Sequence, residues 1–63
     1  MNWFYGVFNL EGDCTQLLAT GFCWGKTADE AKRDAIRKLK RNPGHPLVKR
    51  LQEGTVDVRV QLR

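Results

Sequence analysis

Phe22-Cys23-Trp24-Gly25-Lys26-Thr27-Ala28-Asp29-Glu30-Ala31 is the stretch where strand chemistry gives way to helix chemistry. Thr27 followed three residues later by Glu30 has the S/T-x-x-E form of a capping box, in which the hydroxyl and the carboxylate each satisfy a backbone N–H that the first helical turn leaves unpaired. A helix is therefore expected from about Ala28 to Arg41. Ala28, Ala31, Ala35, Ile36 and Leu39 fall on one stripe at helical spacing, with acidic residues in the first turn and basic ones in the last, as the macrodipole favours. Asn42-Pro43-Gly44 stops it. Pro46 suits the first turn of a short second helix with Leu47, Val48 and Leu51 on one side and Gly54 as terminator; His45, just before Pro46, fits a capping role.

Beyond Gly54, Val56, Val58, Val60 and Leu62 alternate with Thr55, Asp57, Arg59, Gln61 and Arg63, the period of a strand with one buried face. Upstream of the junction, Cys14 to Trp24 is expected as a strand paired with Asn2 to Asn9, a run rich in aromatic and β-branched residues. Leu10-Glu11-Gly12-Asp13 supplies the turn, with Gly12 where a positive φ is needed. The order strand, strand, helix, short helix, strand gives an α+β fold in one domain spanning residues 1–63: a three-stranded antiparallel sheet of order 2-1-3, with the helix on one face.

If Leu10 faces Asp13, then Phe4, Gly6 and Phe8 share a face with Thr15, Leu17, Ala19, Gly21 and Cys23. The small residues Gly6, Ala19, Gly21 and Cys23 suit close approach of the alanine stripe, so this face is expected under the helix. The other face then displays Trp3, Tyr5, Leu18, Phe22 and Trp24, joined by Arg59 and Arg63 from the last strand. Trp, Tyr and Arg are the residue types that anchor interfaces, and aromatics with arginines also build platforms for unpaired bases. A large open apolar face implies a partner or a second copy of the chain. The leading expectation is a protein or nucleoprotein partner; the alternative is a nucleic acid, with bases stacking on this face or the face closing a homodimer.

Charge is unevenly spread over the 63 residues, whose net charge is +4. The first 24 residues hold every aromatic side chain and no Lys or Arg, whereas residues 25–63 hold all eleven basic residues against five acidic ones. Pairs at i,i+4, Asp29 with Arg33 and Asp34 with Lys38, neutralise part of the helix. The expected basic patch is Arg37, Lys40, Arg41, Lys49 and Arg50, suited to steering an acidic partner or contacting phosphates.

Catalytic and metal chemistry find no footing in the pattern. His45 has no Ser, Cys or carboxylate spaced to act with it, phosphate-loop and dinucleotide motifs are absent, and a chain this short can hardly hold a water-excluded site, so no enzyme and no cofactor are expected. Cys14 and Cys23 lack metal-ligand spacing. Nine residues apart on one strand, they would be separated by about 30 Å, which excludes a bridge between them. No apolar run approaches the ~18 residues of a membrane span and no charged n-region precedes one, so a cytoplasmic chain that binds no membrane is expected.

Gly25-Lys26-Thr27-Ala28-Asp29-Glu30-Ala31, with Ala35 one turn later, resembles the strand-to-helix junction of HicB-like antitoxin domains, where a hairpin leads through a G-x-T-x-x-E-A segment into a helix. It is also similar to the layout of small phage host-takeover proteins such as the T7 inhibitor of bacterial RNA polymerase. The resemblance covers about ten residues and the order of elements. It implies a hairpin-then-helix architecture and a phage or mobile-element setting, and carries over no functional residue.

Overall fold

β1 (Asn2–Asn9), β2 (Gln16–Trp24), α1 (Ala28–Lys40), α2 (Pro46–Glu53) and β3 (Val56–Leu62) follow one another in the computed structural model, which describes residues 1–12 and 16–63. The strands form one antiparallel sheet of order β2-β1-β3. The fold is α+β, as the pattern of periods implied. Gly12 takes a φ of 87°, the left-handed turn conformation expected of it. The expected apposition of Leu10 and Asp13, and the roles given to Cys14 and Thr15, lie outside the described residues.

Local chemistry explains the helices. The Thr27 hydroxyl accepts from the Glu30 N–H at 3.3 Å, while the Glu30 carboxylate reaches back to the Lys26 N–H at 2.8 Å, one residue short of the usual box partner. His45 caps α2 through Nδ1, which accepts from the Leu47 N–H at 3.1 Å. Gly54, at φ 78°, closes α2 in the left-handed conformation and turns the chain into β3.

Both helices pack on one face of the sheet. Val7, Cys23, Ala31, Ala35, Leu47, Val56 and Val58 form the buried core, and Trp3, Tyr5, Leu18, Ala19, Ile36, Leu39, Leu51 and Val60 pack around it. For β3, and for Gly21 and Cys23 of β2, this is the face the alternation predicts. For β1 the faces are exchanged: Trp3 and Tyr5 point to the helices, and Phe4 and Phe8 point away. Leu17 and Leu18 are exchanged too, Leu18 packing on the core and Leu17 standing 51% exposed.

Register is the cause. Asn2 pairs with Trp24, Phe4 with Phe22 and Gly6 with Thr20, so even residues of β1 share a face with even residues of β2. Between Val7 and Phe8 the ladder slips: Val7 pairs with Ala19 but Phe8 with Leu17, leaving Leu18 as the extra residue of a bulge. The even-with-odd pairing expected for the whole hairpin holds only on the loop side of that bulge.

Side-chain size follows the true register. Alanines on α1 leave depth beneath it, and large sheet residues fill that depth. Tyr5 lies across Gly21, where a Cβ would stand 2.5 Å from the ring. The Trp3 indole N–H donates to the Gly25 carbonyl at 2.9 Å. The helix side of the sheet thus combines the small Ala19, Gly21 and Cys23 of β2, as expected, with the large Trp3 and Tyr5 of β1, and only Gly6 of the expected small residues lies on the other face.

Candidate binding face

On the side away from the helices, alternate residues of three strands form one surface. Phe4 and Phe8 come from β1, Phe22, Thr20 and Leu17 from β2, and Arg59, Gln61 and Arg63 from β3 and the residue after it. Phe4 and Phe22 are a directly opposed pair with ring centroids 5.0 Å apart and planes tilted by 40°. Their backbones do not hydrogen-bond to each other: the Gly25 N–H donating to the Met1 carbonyl sets the bonded pairs of β1 and β2 at odd residues of β1. Non-bonded pairs bring side chains closest. Phe4 is 43% exposed and Phe22 55%.

Guanidinium groups lie over these rings. Arg59 stands 5.0 Å above the centroid of Phe8, and Arg63 stands 5.0 Å from that of Phe22 and 5.9 Å from that of Phe4. The ring quadrupole attracts the cations, and the arginine stems cover apolar surface. Asp57 is held by Arg59 at 3.0 Å. Between the rings, Gly6 gives a shallow depression of about 330 Å³ bordered by Phe4, Phe8, Leu17, Thr20, Arg59 and Gln61.

Of the residues expected at a partner surface, Phe22, Arg59 and Arg63 meet on this face. Trp24, paired with Asn2 and so on the same side of β2 as Phe22, is 56% exposed at the end of that edge strand, where it also borders a recess shared with Glu30, Arg33 and Arg37. Trp3, Tyr5 and Leu18 lie on the helix side. Phe4, Phe8, Leu17 and Gln61, which the sequence reading left off this surface, belong to it. The signal for Phe4 and Phe8 was their i,i+4 placement around a glycine on one strand, but only the register assigns them a side.

The basic patch also divides. Lys40, Arg41 and Lys49 are exposed. Arg37 is bound by Asp34 at 2.7 Å. Arg50 turns inward, donating to Asn9 Oδ1 and to Thr55 Oγ1 and lying 3.8 Å from Glu11, so it ties α2 to the ends of β1 and β3. The helices occupy the opposite side of the sheet from the aromatic face, so the two surfaces do not merge.

Asp34 is the electrostatic centre of α1. Its carboxylate accepts from the Trp24 backbone N–H at 2.8 Å and from Arg37, and lies 3.4 Å from the Lys38 ammonium, while Lys38 also donates to the Phe22 carbonyl at 2.9 Å. Asp34 and Lys38 thereby occupy the outward backbone groups of β2 at Trp24 and Phe22, part of an edge that would otherwise invite another strand. The Arg37 guanidinium, then the Trp24 N–H, hold the Asp34 carboxyl at a pKa of about 2. Cys23, a free thiol in the core, has its pKa raised by burial and further by Asp34.

Among the described residues, no three His, Cys, Asp or Glu side chains gather as a metal site, and no helix is long and apolar enough to cross a membrane. Comparison with protein-family models, curated proteins and solved structures finds no match, so the likeness to HicB-like domains and phage host-takeover proteins rests on the junction residues alone.

Proposed function

We propose that this chain is a small non-enzymatic binding module that engages a larger protein or nucleoprotein partner through the open face of its sheet. One observation carries the reading: Phe4, Phe8 and Phe22 stand in one surface with Arg59 and Arg63 over them, and both helices pack on the other side. Aromatic rings bury much area for few rotatable bonds and guanidiniums present several donors in one plane, and such groups carry much of the binding energy at interfaces. Lys40, Arg41 and Lys49, on the helix side, steer a negatively charged partner from a distance without touching what the aromatic face holds.

Retention of partners from cell extract on immobilised protein tests this reading, with wild type compared against Phe4→Leu/Phe22→Leu and Lys40→Gln/Arg41→Gln, each checked for fold by circular dichroism. Leucine keeps the apolar bulk and removes the ring. A partner lost with the rings and kept without the helix charges supports the reading. Retention indifferent to the rings, or dependent only on the helix charges, refutes it.

A further inference from the structure

We infer that the occupant of the open face is a single-stranded nucleic acid, its bases stacked on the phenylalanine rings and its phosphates drawn to Arg59 and Arg63. The inference rests on the binding-face reading and names the class of ligand.

Three observations favour this occupant. The first is area: three strands at about 4.8 Å spacing and seven residues at about 3.3 Å give a face of roughly 14 by 23 Å, or about 330 Å². A stable homodimer closed face to face buries about 800 Å² on each side, more than this face supplies even if side-chain relief doubles it, whereas a nucleoprotein can offer its nucleic acid to this face alone. Two or three stacked bases need no more than a sheet face of this kind. The second is ring exposure. Phe4 is 43% and Phe22 55% exposed, so both rings keep surface open to solvent beside the Arg63 guanidinium, and stacking of bases on aromatic side chains is sequence-tolerant.

The third is chemistry at the border. Arg59 and Arg63 stand four residues apart, about 13 Å along the chain, and their guanidiniums lie over Phe8 and over Phe4 and Phe22, so the charge that draws phosphates sits among the rings that stack bases, with Asp57 offsetting part of that of Arg59. A guanidinium already over a ring presents its second planar surface to a base and its N–H groups to a phosphate. Gln61 and Thr20 border the Gly6 depression with an amide and a hydroxyl, able to donate to and accept from base edges.

Anisotropy titrations with labelled single-stranded RNA and DNA of about ten nucleotides, and with the matching duplexes, test this at low and near-physiological salt. Single strands are expected to bind more tightly than duplexes. Phe4→Leu/Phe22→Leu should weaken binding by about tenfold or more, since each lost base–aromatic stack costs about fivefold or more and two are lost. Phe22→Leu alone serves if the double variant fails to fold. Lys40→Gln/Arg41→Gln/Lys49→Gln should change it by less than about threefold at near-physiological salt.

Equal affinity for duplex and single strand, loss that follows the helix charges instead of the rings, or no binding even at low salt overturns the inference. So does a dimeric mass for the free protein that Phe22→Leu converts to a monomer, since the face would then be occupied by a second copy. A partner protein retained through the rings after nuclease treatment, with no oligonucleotide bound, overturns the nucleic-acid assignment and leaves the binding face standing. Loss of both removes both.

Discussion

Asp34→Ala removes three attachments at once. The carboxylate, with only 14% of the side chain exposed, joins α1 to edge strand β2 through the Trp24 N–H at 2.8 Å and pairs with Arg37 and Lys38. A hydrogen bond to a charged group contributes about 1.5–3 kcal/mol. Water can reach the freed Trp24 N–H at a sheet edge, which places this one at the low end. The ion pairs add no more than about 0.5 kcal/mol each, because the Arg37 side chain is 74% exposed and that of Lys38 38%. Alanine's better helix propensity returns about 0.5 kcal/mol. The net loss is about 1.5 kcal/mol, a fall in Tm of about 10 °C for a domain of this size.

The pH dependence gives that figure a signature. Asp34 has its pKa lowered from 3.8 to about 2 in the folded chain, so as pH falls the unfolded chain takes up the proton first. The Asp34 contribution is complete above pH 4–5, declines between about 4 and 2, and is gone below the folded value. Thermal melts followed by circular dichroism should therefore show wild type and Asp34→Ala separated at pH 7 and converging near pH 2. Asp34→Asn, which keeps an acceptor for Trp24 and loses the charge, should fall between them at pH 7. A gap under about 3 °C at pH 7, or one that persists unchanged to pH 2, would refute the assignment of Asp34 as the tie between α1 and β2.

Three further outcomes are expected. Gly25→Ala would set a Cβ 2.5 Å from the Ala31 nitrogen and 2.9 Å from the Glu30 carbonyl carbon, both rigid backbone, so it should cost about 3 kcal/mol or more in urea unfolding, whereas Gly44→Ala, whose nearest neighbour is 4.0 Å away, should be close to neutral. Trp24→Phe leaves Trp3, bonded to the Gly25 carbonyl beside the core, and the remaining emission should be quenched by iodide several-fold less than that of wild type; equal quenching would place Trp3 on the open face after all. A double-mutant cycle on Asn9→Ala and Arg50→Gln should give a coupling of about 1 kcal/mol, reflecting the partly buried bond between them, and a coupling near zero would return Arg50 to the free basic surface.

Much of this molecule is written locally. The Thr27–Glu30 box, Pro46, Gly54 and the strict alternation from Val56 to Leu62 each specify structure within a turn or a strand, since the groups they satisfy lie within a few residues along the chain. Element order then limits the sheet to few arrangements, and the strand order 2-1-3 follows from it. Arg59 and Arg63 were legible as open-face residues for the same reason: only one face of β3 is apolar.

The binding face itself depended on tertiary structure. Trp3, Phe4, Tyr5, Val7 and Phe8 make β1 apolar on both sides, so its period carries no information about which side meets the helices. Pairing with β2 decides it, and one extra residue at Leu18 shifts that pairing by one, so that Phe4, Gly6 and Phe8 lie on the face opposite Gly21 and Cys23. Arg50 shows the same limit in a charge: its place in a basic run marks it as solvent-facing, and contacts with Asn9 and Thr55, 41 and five residues away, turn it inward. Capping, alternation and turns are short-range and readable from the chain; register across a bulge and a long side chain's choice of partner are set by packing between segments distant in sequence.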